Sequence, residues 1–413
     1  MTLTEYCTGI ADAIREKEGS TEAIPAPEHA ARILALSSGG GGSEEEWIGD
    51  GNTHIWITLQ EGRTSPRVGL GGLDGTVTID WGDGSEPDVL TGTSILGYKY
   101  TPAHEYVKPG DYVITLSGGE VNICSYGGYT SRLICATTNP SDNANIVYAS
   151  AVKMVEVGSG HTIGQDAFNK CYSLTSVHLP DGVTSIAQMA FYECRSLTSV
   201  NIPDCVTSIG NSAFCKCSSL TSVHIPDGVT SIGTGVFEEC GSLTSVNIPD
   251  GVTTIGEKLF YSCRSLTSVN IPDGVTSIGG SAFSSCYSLT SVNIPDGVTS
   301  IGNYAFYECR ALTGVNLPDG VTSIGENSFR FCSRFTRANI PAGVTKIQQY
   351  TFGECYGVIC FDFSQHTAVP ALANKNAFTS IASDCQIRVP AALVDQWKAA
   401  TNWSTYADKI VGV

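Results

Sequence analysis

The sequence predicts a multidomain, mainly β protein with short helices, in which a solenoid forms most of the second half of the chain. The main observation is a period: Phe recurs every 23 residues from Phe168 to Phe352, and Cys follows each Phe by three residues. Upstream, residues 47–150 are rich in Thr, Val, Ile and Tyr, with turn residues at the spacing of a β-sandwich. Before them, residues 1–36 carry the apolar spacing of two short helices.

Composition limits the classes of function. The 413 residues suggest about three domains at roughly 150 residues each. With 23 basic and 40 acidic side chains the net charge is −17, so nucleic acid, which requires clustered Lys and Arg, is not expected as a partner. No apolar run reaches the ~18 residues needed to span a bilayer, and the first residues lack the basic and apolar regions of a signal peptide. We therefore expect no transmembrane segment and no membrane insertion.

Residues 1–36 are predicted to form a small helical module, whose first helix has apolar residues at helical spacing from Leu3 to Ile14. Residues 10–33 resemble a small N-terminal module of tail and repeat proteins encoded in gut-phage genomes. The resemblance implies virion attachment, or homo-oligomer formation, through residues 1–36. Residues 37–46 begin with a Gly- and Ser-rich run and are predicted to be a flexible linker.

Two stretches narrow the type of β-sandwich predicted for residues 47–150. Residues 76–85 read Thr-Val-Thr-Ile-Asp-Trp-Gly-Asp-Gly-Ser, and residues 104–114 contain His-Glu-Tyr, then Pro-Gly-Asp-Tyr. Together they resemble a PKD-like immunoglobulin-type domain, which carries a Trp/Phe-Gly-Asp-Gly turn and a later His-x-Tyr-x-x-Pro-Gly-x-Tyr strand entry. The resemblance implies a spacer or adhesion module on an extracellular protein.

Within each of the nine 23-residue units in residues 151–370, the spacing of apolar residues changes from one typical of a strand to one typical of a helical turn. Leu289, Val292 and Ile294 indicate a short strand with one face inward. Pro-Asp-Gly then supplies a turn, and the Ala-Phe-x-x-Cys stretch has the i, i+3 spacing of a single helical turn. One unit buries too little apolar surface to fold by itself, so we expect stacking on neighbouring units to stabilise it.

The Ala-Phe-x-x-Cys-x-x-Leu core and the Ile-Pro-x-x-Val-x-x-Ile turn resemble the leucine-rich repeats of the Treponema or BspA-like type. The match covers about residues 163–363. The resemblance implies a curved solenoid of parallel strands and an adhesive or host-binding role. Members are mainly surface proteins of commensal bacteria and some protists, and membership implies no catalysis.

The period is lost after residue 370, and residues 371–413 are predicted to cap the last coil. Residues 389–397 indicate the start of a helix, and Trp403 and Tyr406 add bulk. A bulky cap is expected because the terminal unit of a solenoid has an open apolar face.

Nine regularly spaced Cys residues raise the possibility of a metal site, but their spacing is not that of metal ligands. No Cys-x-x-Cys pair exists, and Cys215 with Cys217 is the nearest approach to one. Disulfides also fit badly, because the column has an odd number of members whose side chains point in parallel. We predict buried thiols that fill a narrow slot as small apolar groups, and we expect no cofactor.

Asp residues supply the remaining candidate cation ligands. Seven of them share one turn position and are expected to form an acidic stripe: Asp181, Asp204, Asp227, Asp250, Asp273, Asp296 and Asp319. Calcium would suit such oxygen ligands, while the simpler interpretation is that Asp favours the turn itself. Asp80, Asp83 and Asp88 are likewise candidates for a calcium site or an acid/base pair, and their alternative is an Asx-type turn.

The positions at which the units differ from one another supply the candidate binding residues. Three units place Tyr and Arg three residues apart, beside Phe and Cys, on the expected loop side. The predicted ligand-binding residues are Tyr192, Arg195, Tyr261, Arg264, Tyr287, Tyr307 and Arg310. Tyr and Arg dominate binding hot spots because they combine large area with hydrogen bonding. The alternatives are an ordinary surface with Arg stacked on Tyr, and recognition of a glycan by the Ser and Asn side chains of the strand side, from Ser176 to Asn293.

These features predict a non-enzymatic recognition or adhesion protein that presents a rigid repeat surface to a host-cell surface glycan or protein. We expect a phage tail-associated receptor-binding protein on the virion tail. The alternative is a bacterial surface or secreted adhesin, and a more distant one is a glycan-cleaving enzyme that uses Asp80 and Asp83. The sequence contains no His-Glu-x-x-His, Gly-x-Ser-x-Gly or phosphate-loop motif.

Overall fold

The structure is a computed structural model, and it describes residue 48 and residues 51–60, 65–93, 98–100, 103–118, 120–123, 134–135, 152–158 and 162–413. The predicted helical module and linker therefore lie outside the described residues. The chain divides into two compact units, Met1–Val183 and Thr184–Val413.

The described part of the first unit consists of strands and turns. Its strands are β1 (Thr53–Leu59), β2 (Arg67–Asp80), β3 (Asp88–Thr93), β4 (Tyr98–Tyr100), β5 (Gly110–Ser117), β6 (Glu120–Ile123), β7 (Ile134–Cys135), β8 (Val152–Glu156), β9 (Thr162–Ile163) and β10 (Ser176–His178). They form one connected sheet in the order β10-β8-β1-β5-β2-β6-β9, with β3, β4 and β7 also paired to the long β2. The mainly β character predicted for this region is confirmed.

The core of this sheet is centred on β1 and its neighbour β5. Ile55 and Ile57 of β1 pair with Ile114 and Tyr112 of β5, and Ile55, Ile57 and Ile114 are fully buried. Burial alternates along the second half of β5, as the period of two predicts, whereas β1 is buried on both faces, where His54 and Trp56 are also inside. At one edge, β8 accepts β10 of the first repeat unit as a parallel neighbour, with Val177 opposite Val155. The β domain thus supplies the first backbone edge on which a repeat strand is laid.

In the second unit, short parallel strands occupy two positions of most coils. The Ser-Ile position contains β11 (Ser185–Ile186), β12 (Ser208–Ile209), β14 (Ser231–Ile232), β16 (Thr254–Ile255), β18 (Ser277–Ile278), β20 (Ser300–Ile301), β21 (Ser323–Ile324), β23 (Lys346–Ile347) and β25 (Ala371–Leu372). The Ser-Val-Asn position contains β13 (Ser222–Val223), β15 (Ser245–Val246), β17 (Ser268–Asn270), β19 (Ser291–Asn293), β22 (Arg337–Asn339), β24 (Cys360–Asp362), β26 (Gln386–Val389) and β27 (Ile410–Gly412). Residues 23 apart pair in register, for example Val269 with Val292, which confirms a solenoid of parallel strands.

The third side of each coil, around Ala-Phe-x-x-Cys, is not the helical turn that the i, i+3 spacing predicts. Ser281 and Ser285 have φ of +55° and +62°, in the left-handed region, which a right-handed helical turn excludes. The N–H groups of Ser281, Phe283 and Ser285 donate to carbonyls 22 residues later, at 2.7–2.8 Å. Those of Ala282 and Ser284 donate to carbonyls three residues earlier in their own coil. The prediction was wrong because the i, i+3 bonds close separate tight turns, while alternate amides bind the next coil.

The same two left-handed positions recur in the coils of the second unit. The members before Phe are Met189, Ser212, Gly235, Lys258, Ser281, Tyr304, Asn327 and Tyr350, and those after Phe are Glu193, Lys216, Glu239, Ser262, Ser285, Glu308, Phe331 and Glu354. Only Gly235 among them is a glycine, and a left-handed conformation costs other residues about 1–2 kcal/mol. Hydrogen bonds between coils offset this cost. Without them the backbone N–H groups around Phe would be buried without an acceptor.

Stacked Phe and Cys columns lie in the interior of the coils, together with buried Leu, Val and Ile columns. Phe191 to Phe352 form a stack with ring centroids 5.2–5.8 Å apart, and each ring is fully buried. Behind them, the Cys286 thiol donates to the carbonyl of Phe260 at 3.1 Å, and the same bond recurs through the column. The prediction of buried thiols is confirmed, but they are also hydrogen-bond donors rather than purely apolar fillers.

Coil stacking continues beyond the residue at which the sequence loses its period. Ile387 of β26 pairs with Ile410 of β27, and Phe378 stacks on Phe352 at 5.7 Å, 26 residues away. A 3-10 helix (Ala391–Leu393), helix α1 (Val394–Ala399) and a second 3-10 helix (Trp403–Tyr406) then cover the end. Trp397, Trp403 and Tyr406 of this segment are buried.

We expect Gly302→Ala to lower the free energy of unfolding by about 1–3 kcal/mol, as overpacking does. A Cβ at Gly302 would lie 2.6 Å from the backbone nitrogen of Gly280 in the preceding coil, and backbone cannot move aside within a stacked ladder. Gly241→Ala is the matched control, because a Cβ there meets nothing within 4 Å. Urea denaturation of the full chain measures both. Equal stability of the two variants would show that coil spacing is not set at this position.

Candidate functional site

The outward residues at positions −2, +1, +2 and +4 from each Phe form what we term the turn face. The tight turns around Phe fix the direction of these side chains, and stacking places equivalent residues of successive coils one above another. All seven predicted ligand-binding residues lie at positions +1 or +4, and each is partly or fully exposed. The structure therefore places them on one side of the coils.

An Arg-Tyr-Arg ladder lies at the centre of the turn face. The Arg264 guanidinium carbon is 5.7 Å from the centroid of the Tyr287 ring, and that of Arg310 is 5.1 Å from the same ring. The spacing of three residues suggested pairs within a coil, such as Tyr261 with Arg264. The ring that Arg264 covers instead belongs to the next coil, because stacking brings residues 23 apart together.

Two arginines of the predicted set are hydrogen-bonded to acidic neighbours in their own coils. Arg195 donates from Nη2 to Glu193 Oε2 at 2.8 Å, and Arg310 donates to Glu308 at 3.2 Å. Lys216 lies 5.6 Å from the centroid of Tyr192. Burial raises the pKa of the Tyr192 phenol, and the Lys216 ammonium lowers it in part, so this phenol stays protonated at neutral pH.

Sequence reasoning missed an aromatic cluster on the later coils of the turn face. The Arg330 guanidinium carbon is 4.2 Å from the centroid of Tyr350 and 4.7 Å from that of Phe331. Tyr307 packs edge-on against Phe331 at 5.6 Å and against Tyr304 at the same distance. The sequence does carry a signal for this cluster, namely aromatic residues at positions −2 and +2 from Phe. The sequence comparison considered only positions +1 and +4.

The strand side offers a different surface. We term the outward Ser and Asn residues of the Ser-Val-Asn position the strand face, exemplified by exposed Ser268 and Asn270. Asn247 binds back to the backbone of Ile225 through both amide atoms, at 2.8 and 2.7 Å. Ser176 is buried in the first unit, which removes it from the surface that the sequence suggested.

The three Asp residues of the β domain that were predicted as candidate cation ligands each accept a hydrogen bond from a protein donor. Asp80 Oδ1 accepts from the Gly82 amide at 2.8 Å, and Asp88 Oδ2 accepts from the Trp81 indole at 3.0 Å. Asp83 accepts from the Ser85 amide at 3.0 Å and lies 2.8 Å from His104 Nε2. Partial burial alone would raise the pKa of Asp83, but hydrogen bonds from Ser85 and His104 together hold it below its ordinary value.

These bonds make the Trp-Gly-Asp-Gly segment part of an aromatic cluster. The His104 ring stacks on Trp81 at 4.5 Å, and the Tyr106 hydroxyl donates to the Trp81 carbonyl at 2.8 Å. Asp80 and Asp83 each accept from an amide two residues later, which is the Asx-type turn named as their alternative. Within the part of the chain that is described, no three His, Cys, Asp or Glu side chains converge on a metal position.

The seven turn Asp residues are all exposed, six of them in Pro-Asp-Gly turns and Asp204 in a Pro-Asp-Cys turn. Of the thirteen cysteines whose side chains are described, from Cys171 to Cys385, Cys205 alone is exposed, at a turn where most other coils have Gly. Burial raises the pKa of the Cys215 thiol to about 12 and raises that of Cys263 well above its usual value. Helices long and apolar enough to cross a membrane are absent from the described residues.

The comparison with protein families identifies the repeats. The BspA type leucine rich repeat region matches residues 148–267 and 253–382 as six copies, which together exceed half of the 413 residues. No curated protein matches the sequence.

Solved structures with similar repeats come from several bacteria. A leucine-rich repeat protein from Bacteroides ovatus is 21% identical over 71% of this chain and 95% of its own, with a TM-score of 0.39. The leucine rich repeat protein of T. pallidum is 34% identical over 44% of this chain and 83% of its own, with a TM-score of 0.39. A leucine rich cell surface protein from Faecalibacterium prausnitzii is 30% identical over 56% and 77%, with a TM-score of 0.34.

We expect iodoacetamide at pH 8 to alkylate Cys205 quickly and the Cys217-to-Cys355 column only after denaturation. The column thiols are buried, and their raised pKa keeps them protonated at that pH, whereas thiolate is the reactive form. Peptide mass spectrometry of the native and urea-denatured chain measures each site separately. Rapid native alkylation of Cys263 or Cys286 would contradict the stacked interior.

Proposed function

We propose, from the premise that this chain belongs to the BspA-type leucine-rich repeat family, that it is a recognition or adhesion protein without a catalytic step. Its rigid coils hold a surface of fixed side chains against a cell-surface glycan or protein. The observation that carries the proposal is the Arg264–Tyr287–Arg310 ladder on the turn face. The turn face of the later coils extends the same contact area.

The ladder has the physical properties of a binding anchor. Stacking holds Tyr287 between two guanidinium groups before any ligand arrives, so less side-chain entropy is lost on binding. Arg310 remains 60% exposed although it is paired with Glu308, so its other donors can reach a partner. Arg264 has no acidic partner among the described residues, and its charge is available for a carboxylate or a carbonyl oxygen.

Charge distribution supports the later coils as the contact region. The chain carries −17 overall, yet residues 303–356 contain five basic and four acidic side chains. The same coils hold the cluster of Tyr304, Tyr307, Phe331 and Tyr350 around Arg330. Aromatic and Arg side chains are the types enriched at the centres of protein interfaces.

The remaining segments suit attachment and spacing. We propose residues 47–150 as a PKD-like spacer, supported by its Trp-Gly-Asp-Gly motif and by the packing of Trp81 against His104. We propose residues 1–36 as the attachment module, which the resemblance of residues 10–33 to phage tail modules supports. The proposed setting is therefore a virion tail that binds bacterial receptors. The alternative setting, which the family favours, is a bacterial surface adhesin that binds host tissue.

We expect Arg264→Ala with Arg310→Ala to reduce binding of the fluorescently labelled full chain to its target cells at least tenfold. The two substitutions remove the charges that flank Tyr287 and leave the buried columns intact, so the melting temperature should change little. Flow cytometry on a panel of gut bacterial strains and on cultured intestinal epithelial cells measures binding. Lys346→Ala, which removes an exposed charge from β23 on another side of the coil, is the matched control.

The same assay separates the settings and tests the surface. Labelling of bacterial envelopes favours the virion setting, and labelling of epithelial cells favours the adhesin. Binding that survives Arg264→Ala with Arg310→Ala, or that falls equally in Lys346→Ala, would remove the ladder from the mechanism. A chain that binds neither class of cell would contradict the recognition function.

A further inference from the structure

A second surface stands out because the repeat changes there in several columns at once. The strand face carries Ser at its first position from Ser176 to Ser291, and then has Gly314, Arg337 and Cys360. At the Asp position of the Pro-Asp-Gly turn, the last Asp is Asp319, and the next two coils carry Ala342 and Gln365 there. The altered residues lie in successive coils of the second unit, so stacking gathers them into one place.

Three of these altered residues, Arg337, Ala342 and Gln365, line an open depression with a volume of about 510 Å³, within the range of about 300–1,000 Å³ that is usual for ligand pockets. Its floor is apolar, since Leu317 and Ile340 line it and are almost fully buried.

The charged pair at this site is fixed in place. Arg337 Nη2 donates to Asp362 Oδ2 at 2.9 Å, and the Ser364 amide donates to Asp362 Oδ1 at 3.0 Å. Partial burial alone would raise the pKa of Asp362, but the bonds from Ser364 and Arg337 together hold it below its ordinary value. The Asp362 carboxylate therefore stays ionised and fixed in orientation. Arg337 remains about half exposed, and its other N–H groups can donate to a ligand.

Exposed amides complete the polar wall. Asn316 and Asn339 lie at the same strand position in successive coils, and Asn339 pairs in register with Asp362. Each amide offers a donor and an acceptor side by side, and Asp362 adds acceptors. The charges of Arg337, Asp319 and Asp362 leave the depression slightly negative, which disfavours an acidic ligand.

We propose that this depression binds one residue of a neutral glycan through neighbouring hydroxyl groups. Each sugar hydroxyl both donates and accepts, which matches the mixed amide, carboxylate and guanidinium wall, and the C–H face of a pyranose ring fits the apolar floor. The inference rests on the proposed recognition function and names a ligand class for the strand face. It concerns a different side of the coils from the Arg-Tyr-Arg ladder.

Saturation-transfer NMR on the full chain tests this with methyl glycosides of mannose, galactose, glucose, fucose, N-acetylglucosamine and N-acetylgalactosamine, and with N-acetylneuraminic acid as the acidic probe. We expect at least one neutral glycoside to bind with millimolar affinity and the acidic probe not to bind. Asn339→Ala and Arg337→Ser should each weaken binding at least tenfold. Arg337→Ser restores the residue that earlier coils carry at this position, so the fold should tolerate it.

Asn293→Ala is the matched control, because Asn293 is exposed at the same strand position in a coil outside the depression. Binding of no neutral glycoside at 20 mM, binding of the acidic probe alone, or binding that survives Asn339→Ala and Arg337→Ser overturns the proposal. If cells are still bound through Arg264 and Arg310, such a failure leaves the recognition function standing. If neither cells nor glycosides are bound, both proposals fail.

Discussion

Every coil of the repeat region depends on the polar backbone groups of its neighbours. Alternate amides around each Phe donate to carbonyls of the next coil, and the two strand positions pair in parallel register. This requirement fixes the coil spacing near the separation of paired strands, about 4.8 Å. Phe rings stacked at 5.2–5.8 Å and Gly302 close to the preceding backbone are the side-chain consequences of that spacing. The left-handed residues beside Phe are tolerated because they aim the amides along the stack.

The same spacing turns a sequence column into a physical column. A side chain on the outside of one coil has its equivalents in the adjacent coils as near neighbours, at about the 4.8 Å separation of paired strands. Arg264, Tyr287 and Arg310 therefore stack although they are distant in sequence. The thiols of the Cys column use the spacing differently, since each reaches back to a carbonyl of the preceding coil. A solenoid can thus vary its surface without disturbing its interior, because the two sets of columns point in opposite directions.

The departures from the repeat are concentrated in the later coils on both surfaces. On the turn face, Arg330 lies between Phe331 and Tyr350, and on the strand face Arg337 pairs with Asp362. Both sites place arginine among polar or aromatic partners in a chain whose net charge is −17. A region of local charge balance in an acidic protein reduces repulsion toward the anionic surfaces of cells. This supports the later coils as the part that meets a partner.

The sequence by itself determined the repeat, its inward Phe and Cys columns and the exposed turn Asp residues, because a period of 23 leaves only one way to bury one face of each unit. It also indicated that Tyr and Arg vary on the outside. Only the tertiary structure decided which of them touch: Tyr287 meets arginines 23 residues away on either side, and His104 reaches Asp83 across 21 residues. It also replaced the expected helical turn by left-handed residues and extended the stack to Phe378. Such features depend on bonds between coils, and the spacing of residues within one coil does not encode them.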